Sequence, residues 1–251
     1  ITPSQDMVIG IYYLSTEEHN QPGEGMIFRN YDEVIKAYQM GAVTLHSLVG
    51  IATSAYPEKR FSKKGIILTT VGKIIINNIL PADFTYINND KCKPLGADLV
   101  DYATDIRKLI KERKLLPPFA KKTTSKLIQM LYEKYSDVRI ISSTADKIKD
   151  LGYKYSTKSG ITVSLFDLPT YNKKDQYFKE ADANVAKYRK QADKGLLTDD
   201  ERYSKVIKEW SHVKDLVTHD IDEIMKDPKN AKNSVIIMAN SGARGNVSQF
   251  T

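Results

Sequence analysis

The stretch SGARGN, at residues 241–246, places one arginine, Arg244, between two glycines directly after an apolar run. Glycines let backbone N–H groups approach an anion closely, and a guanidinium adds a fixed positive charge with several donors. Residues of these types could therefore bind a phosphate group. A plain surface turn also explains the stretch, and these six residues alone do not decide between the two interpretations.

Motifs of a self-contained catalytic or metal site are missing from the sequence. It has no GxxxxGK[ST] or GxGxxG phosphate-binding loop and no serine in a nucleophile elbow. His212 and His219 lie seven residues apart, whereas two metal ligands on one helix usually lie four apart. Asp220 and Asp222 would point about 200° apart on a helix and could not share an ion. We therefore predict no metal site.

Support for nucleic-acid binding is weak. Basic clusters occur at residues 63–64, 111–114 and 121–122, but no aromatic residues interleave with them, and charge runs are usually solvated. The G-x-x-G spacing in SGARGN also occurs in KH domains, where it joins two helices. Here it follows SVIIMAN, residues 234–240, whose pattern indicates a strand and argues against a KH domain.

The composition is ordinary for a globular protein. The chain has 251 residues, 41% of them hydrophobic and 27% charged, enough to bury a sizeable core in one or two domains. No apolar run reaches the roughly 18 residues of a membrane span, so we expect no membrane contact. The net charge of +7 is compatible with a polyanionic partner. The single cysteine, Cys92, excludes an internal disulfide and is expected to be a free thiol.

Hydrophobic periodicity predicts an α+β fold that is mainly helical. Helical patterns cover residues 1–15, 31–41, part of 101–114, 125–136 and 143–160. Short strands are predicted within 23–28, at 42–53, at the start of 65–81 and at 161–169. Within 65–81, a break at Gly72 precedes a short buried helix that ends at Pro81.

The clearest pattern covers residues 171–226. Apolar residues recur every three or four positions on both sides of GLL at 195–197, and Thr198 with Glu201 forms a capping box. Two helices joined by so short a turn must run antiparallel, and their narrow apolar stripes bury against each other. We predict an antiparallel coiled-coil hairpin that projects from an irregular globular base with short strands.

Six segments, in the same order, strongly resemble the β′ large-subunit family of bacterial DNA-directed RNA polymerase. They are PSQDMVIGIYYL, GEGMIF, LTTVGKIIINNILP, GYKYSTKSGITVSLFDL, GLLTDDERYSKVIKEW and MANSGARGN. The resemblance runs along almost the whole chain and thins at residues 88–125. Six motifs in one order are far more specific than any one of them.

The resemblance implies an internal fragment of that subunit. The chain opens ITPSQD without an initiator Met, and it lacks the family's NADFDGD loop, whose aspartates hold magnesium. We therefore expect the fragment alone to be inactive, with magnesium and zinc bound only in the complete subunit or holoenzyme. Residues 1–140 would form the pore region, and residues 141–251 the funnel of the secondary channel, including the hairpin at 171–226.

Individual roles also follow from the resemblance. Arg244 matches the family's arginine that meets the triphosphate of the incoming nucleotide, and Gln5 matches a position on the other side of that nucleotide. The hairpin tip matches the rim of the channel, where its exposed leucines would dock secondary-channel factors of the transcript-cleavage type. This tip consists of Gly195, Leu196, Leu197 and Thr198.

The implied partners are the β, α, ω and σ subunits, the incoming nucleoside triphosphate and the RNA 3′ end. DNA would be contacted only through the holoenzyme, in the cytoplasm at the nucleoid. Two alternatives from other classes stay open. A freestanding coiled-coil adaptor predicts natural ends near residues 1 and 251, and a small RNA-binding protein predicts steeply salt-dependent RNA affinity. Neither alternative explains the six ordered motifs.

Overall fold

The computed structural model describes residues 2–57, 60–61, 63–167, 173–227, 230, 232–245 and 249. The chain divides into two compact units by its contacts. The first comprises residues 1–161 with 240–244, and the second residues 162–239 with 245–251. Helices predominate, and strands form a small sheet, so the predicted α+β, mainly helical fold is confirmed.

The first unit contains a four-stranded sheet surrounded by helices in the described part of the chain. The strands are β1 (Ile27–Phe28), β2 (Leu48–Ala52), β3 (Ile66–Thr70) and β4 (Leu99–Val100), adjacent in that order. β1 pairs with β2 in parallel, and the other two pairings are antiparallel. The helices are α1 (Asp6–Ser15), α2 (Tyr31–Gln39), α3 (Val71–Ile79), α4 (Ile106–Glu112), α5 (Lys121–Lys134) and α6 (Val138–Ser159).

Both faces of the two central strands, β2 and β3, are buried. Val49, Ile51 and Ile67 belong to the main core, which also includes residues of α1, α3, α5 and α6. The alternate residues of the same strands, such as Leu48 and Ile66, pack with residues of α4 on the other face. Successive side chains of a strand point to opposite faces, so a sheet covered on both sides needs continuous apolar strands.

Helix α1 is central to the first unit because two glycines allow close contacts with its neighbours. A Cβ on Gly10 would lie 1.8 Å from the carbonyl oxygen of Gly152 in α6. A Cβ on Gly72 would lie 1.8 Å from the carbonyl oxygen of Leu14. The predicted break at Gly72 is therefore wrong: it is the second residue of α3, which begins after the N-cap residue Thr70, and its missing side chain admits α1.

Side-chain hydrogen bonds replace predicted strand structure with turns in two places. Residues 42–47 precede β2 as a turn, in which the Ser47 hydroxyl accepts from the Thr44 N–H (2.8 Å) and donates to the Pro22 carbonyl (2.7 Å). Residues 161–167 contain no strand, since the Asp167 carboxylate accepts from the Ser164 N–H at 2.7 Å. Such local bonds compete with strand pairing. The remainder of that predicted strand, residues 168–169, lies outside the described residues.

The second unit contains the predicted antiparallel hairpin. It consists of α7 (Lys174–Asp193) and α8 (Asp199–Lys226). The Tyr177 hydroxyl donates to the Asp220 carboxylate at 3.2 Å, and the Asn184 amide donates to the Glu209 carboxylate at 2.7 Å. Partner numbers fall along α8 as they rise along α7, so the helices run antiparallel. Its apolar core comprises Ala181, Val213, Val217, Ile221 and Met225, joined by Ile236.

The predicted strand SVIIMAN is instead a helix, α9 (Ser234–Ser241). The Asn233 side-chain oxygen accepts from the backbone N–H groups of Val235 (2.9 Å) and Ile236 (3.3 Å), which is how an N-cap residue begins a helix. Ile236 then packs against the hairpin core. A short apolar run does not distinguish a strand from a buried helix, and tertiary packing decides here.

The predicted boundary at residue 140 falls inside α6. Contacts keep the first unit together through Ile161, since α6 packs along α1. Pore and funnel are roles in a larger assembly, whereas these units are defined by contacts within the chain. The division at residue 140 therefore stays a prediction.

A buried charge cluster anchors the proline-broken segment 88–123 to the core. The Lys73 ammonium lies 2.7 Å from the Glu17 carboxylate, and both side chains are fully buried. Lys73 also donates to the carbonyl of Asn88 at 2.8 Å, and Glu17 accepts from the backbone N–H of Leu116 at 2.7 Å. These bonds fix both ends of the segment against α3 and the residues after α1.

A second ion pair completes this cluster. Arg113 lies 2.9 Å from the carboxylate of Asp98 and 3.4 Å from that of Glu17. The cluster therefore contains two acidic and two basic side chains, whose charges cancel. Burial lowers the pKa of Lys73 and raises the pKa of Asp98, because desolvation disfavours each charged form.

Candidate functional site

The turn that carries Arg244 begins where α9 ends. Ser241 is fully buried, whereas Arg244 is exposed. Gly242 and Gly245 have φ values of 71° and 83°, in the left-handed region that favours glycine. The glycines thus provide the backbone conformation that presents the arginine to solvent, and a larger residue at either position would be strained.

This turn lies beside the first residue of α5. A Cβ on Gly242 would lie 3.3 Å from the Cβ of Lys121. The N-cap of α5, Ala120, provides no side-chain cap, and Lys121 and Lys122 occupy the first turn. Helix N-termini favour negative groups, so two lysines there concentrate positive charge that nothing in this turn offsets. The sequence identified this lysine pair only as a surface cluster, because its proximity to the Arg244 turn comes from tertiary packing.

Gln5 has an unusual backbone conformation immediately before α1. Its φ of 47° and ψ of −123° lie in a region that favours glycine. Its carbonyl accepts from the backbone N–H groups of Val8 (2.9 Å) and Ile9 (3.1 Å), and its side chain makes no capping bond. The exposed Gln5 side chain therefore extends from a strained backbone and is not used to cap the helix.

Gln5 and Arg244 lie in the same compact unit, connected to opposite ends of α1. Gln5 precedes the first residue of α1, while Ser15, the last, accepts a hydrogen bond from the Phe119 N–H (2.7 Å) just before α5.

The hairpin tip is tightly structured. Gly195, with a φ of 71°, follows α7, and the Leu196 N–H donates to the Gln191 carbonyl at 2.9 Å, as in a Schellman motif. Thr198 and Glu201 form the predicted capping box. Leu196 is 70% exposed, while Leu197 is half-buried, so the structure exposes one of the two predicted leucines.

Among the residues that the structure describes, one group of possible metal ligands lies on α8. Ligand atoms of His219, Asp220 and Glu223 lie within 4.8 Å of one another. The imidazole of His219 lies 3.5 Å from the Asp220 carboxylate and 4.0 Å from the Glu223 carboxylate. These distances are typical of ion pairs, so we assign no metal to the three residues. The sequence comparison of His212 with His219 missed this group, because the informative spacing is the four residues from His219 to Glu223. Among the described helices, none has the length and apolar character that a membrane span requires.

Comparison with known proteins identifies the family. A family model described as RNA polymerase Rpb1, domain 3, matches residues 1–168, and one described as RNA polymerase Rpb1, domain 4, matches residues 197–251. The chain therefore belongs to the family of RNA polymerase large subunits, as the six motifs predicted.

The similar curated proteins are bacterial β′ subunits of DNA-directed RNA polymerase. The whole chain aligns with those of Malacoplasma penetrans at 51% identity, Mycoplasmoides gallisepticum at 46% and Lactiplantibacillus plantarum at 44%. It spans 20%, 20% and 21% of their respective lengths. The sequence argued against a KH domain because it predicted a strand before SGARGN, and that reason is wrong because the segment is helix α9. The match to the RNA polymerase family is the reason to reject a KH domain instead. The adaptor and the small RNA-binding protein gain no support from these relatives.

Proposed function

We propose that this chain forms the pore and funnel of the secondary channel in a bacterial RNA polymerase. Nucleotides would enter through this channel, and the 3′ end of backtracked RNA would leave through it. The observation that carries the proposal is that the turn bearing Arg244 contacts the lysine-bearing start of α5 through Gly242, in the same unit as Gln5. Arg244 and Gln5 would contact the triphosphate and the opposite side of one incoming nucleotide.

The charge pattern suits this chemistry. Negative charge accumulates on the leaving pyrophosphate during nucleotidyl transfer, and a fixed guanidinium placed there stabilises the transition state. The chain would contribute positioning and electrostatics but no catalytic metal. Magnesium, and zinc elsewhere, would be bound by other parts of the complete β′ subunit. Its partners would be the β, α, ω and σ subunits, with DNA contacted only through the cytoplasmic holoenzyme.

RNA crosslinking tests this proposal. A polymerase that contains the chain within its complete β′ subunit is backtracked by several nucleotides, with a photoreactive base at the RNA 3′ end. We expect the RNA to crosslink to the first unit, residues 1–161 and 240–244. Crosslinks confined to other parts of the enzyme would contradict a pore role for this chain.

Substitution of Gln5 by glycine should separate stability from function. The left-handed conformation costs a non-glycine residue about 1 kcal/mol, so Gln5→Gly should raise the free energy of unfolding by about that amount. In the polymerase it should slow nucleotide addition, because the amide is lost. Urea denaturation and single-nucleotide addition measure the two effects.

The matched control for this substitution is Ser4→Gly, since Ser4 is exposed and its φ is outside the left-handed region. Ser4→Gly should not increase stability. If Gln5→Gly left both stability and nucleotide addition unchanged, the result would contradict the backbone strain and the nucleotide contact that we assign to Gln5.

The hairpin tip would dock transcript-cleavage factors through Leu196, the more exposed of its two leucines. Leu196→Asp would place a charge in that apolar contact and should weaken factor binding by about tenfold or more, while elongation without the factor stays unchanged. Binding of a purified factor to the assembled polymerase measures the change. Val163→Asp is the control, because Val163 is also exposed (54%) but lies away from the tip in sequence. Equal binding by both variants would remove the tip as the docking site.

A further inference from the structure

Arg60 is held between two tyrosine rings. Its guanidinium carbon lies 4.9 Å from the ring centroid of Tyr56 and 5.5 Å from that of Tyr86. Two of its nitrogens, Nη1 and Nη2, donate to the carbonyl of Asn77 at 3.4 and 3.3 Å, and Nη2 also donates to the Asn77 side-chain oxygen at 3.2 Å. The ring faces and Asn77 thus fix the guanidinium without neutralising it.

No carboxylate pairs with Arg60 among the described residues. Asp83 interacts electrostatically with Arg60, but its carboxylate forms an ion pair with Lys134 at 3.3 Å and accepts a hydrogen bond from the Tyr135 hydroxyl. Asp98 is paired with Arg113. Burial lowers the pKa of Arg60, so its charge carries a desolvation cost that these contacts only partly offset.

One buried donor at this place lacks a partner. Within the described residues, the Nε of Arg60 is buried and makes no hydrogen bond. Since most buried donors are satisfied, an orphaned N–H on a charged group indicates a missing partner. Both N–H groups of Nη2 already donate to Asn77, so the Nε–H is free to donate one charge-assisted bond to a carboxylate oxygen.

A cavity of about 160 Å³ adjoins Arg60. Its walls are mainly apolar, and Arg60 is the one charged residue among the described residues that form them. The walls comprise Arg60, Phe61, Thr85, Tyr86, Pro94, Leu95, Gly96 and Leu99. One positive charge in a small apolar cavity matches one carboxylate, whereas a phosphate dianion would leave a negative charge buried without a counter-ion.

We propose that this cavity is a binding site for the carboxylate of an Asp or Glu side chain that lies outside this chain in the assembled polymerase. The cavity can hold one side chain but not a nucleotide. The chain spans about a fifth of its relatives, so most of the subunit remains to supply the acid. The claim that the carboxylate comes from another part of the polymerase depends on the proposed function. The claim that the cavity binds a carboxylate does not depend on it.

Acetate, as a probe for the carboxylate, tests the site on the 251-residue chain. Arginine side chains are labelled with ¹⁵N, and the Nε–Hε signal of Arg60 is followed during titration with sodium acetate against sodium chloride at equal ionic strength. We expect a saturable shift with acetate alone. The backbone amide signals of Gly96 and Leu99, which line the cavity and are present in both proteins, are followed in the same titration, and they should show at least about a tenfold loss of acetate affinity in Arg60→Gln, consistent with a charge-assisted bond. Circular dichroism checks that the variant folds. An Arg60 signal that does not respond to acetate would overturn the site, whether or not the chain belongs in the secondary channel.

Zero-length crosslinking tests the source of the acid. Arg60→Lys is introduced into the complete β′ subunit, and the assembled polymerase is treated with a water-soluble carbodiimide, which joins an amine to a carboxylate in direct contact. We expect mass spectrometry to find residue 60 linked to an Asp or Glu outside these 251 residues, and no such link in Arg60→Gln. A link only to carboxylates within the chain, or none at all, would overturn the assigned partner.

Discussion

Lys73→Met should reduce the free energy of unfolding by about 3–5 kcal/mol. Lys73 and Glu17 are both fully buried and lie 2.7 Å apart. Removing the ammonium leaves the Glu17 carboxylate with one more distant cation, Arg113 at 3.4 Å. An uncompensated buried charge is far more destabilising than the loss of the pair as a whole. Urea denaturation of the chain measures the change.

A second substitution distinguishes buried charge from lost packing. Lys73→Met combined with Glu17→Gln removes both charges of the pair and should recover part of the lost stability. Lys147→Met is the matched control, because Lys147 is exposed on α6, and it should change stability by no more than about 0.5 kcal/mol. If Lys73→Met cost no more than this control, the cluster would not anchor the segment 88–123.

Arg244→Ala in the complete β′ subunit should slow nucleotide addition by about 10²–10³-fold and raise the apparent KM for the nucleotide. Arg244 is exposed on a glycine turn whose Gly242 lies against Lys121, at the lysine-bearing start of α5. Its loss would remove stabilisation where pyrophosphate charge develops. The folding of the chain should be unaffected, since Arg244 is exposed. Rapid-quench kinetics over a range of nucleotide concentrations measure both constants.

Arg244→Lys refines this test. Lysine keeps the charge but loses the planar fork, so its rate of addition should lie between those of the wild type and Arg244→Ala. Lys147→Ala should leave the kinetics unchanged. Unchanged kinetics in Arg244→Ala would remove the triphosphate contact that we assign to this residue.

The parts of the fold governed by short-range rules could be predicted from the sequence. The hairpin followed from apolar spacing and from the Thr198–Glu201 capping box, both of which are local. The small strands of the sheet were partly predicted, because Leu48 and Ile66 stand in apolar runs bounded by turn residues. The six ordered motifs identified the family without any knowledge of the fold.

The parts that depend on distant contacts could not be predicted. The pairing of Lys73 with Glu17 joins residues 56 positions apart, and neither shows in sequence as a buried charge. Gly72 looked like a break because the approach of Leu14 is invisible in a linear pattern. Lys121 looked like a surface charge because only packing brings it to Gly242. The segment SVIIMAN became a helix because Asn233 caps it and the hairpin buries it.

The most direct test of the proposed function is a structure of the elongating polymerase with a non-reactive nucleoside triphosphate bound at its active centre. The quantity to measure is the distance from the Arg244 guanidinium nitrogens to the nearest triphosphate oxygen. We predict about 2.7–3.1 Å, a direct charge-assisted bond, with the Gln5 amide on the other side of the same nucleotide. An Arg244 side chain that stays beyond about 6 Å from a bound triphosphate would contradict the assignment.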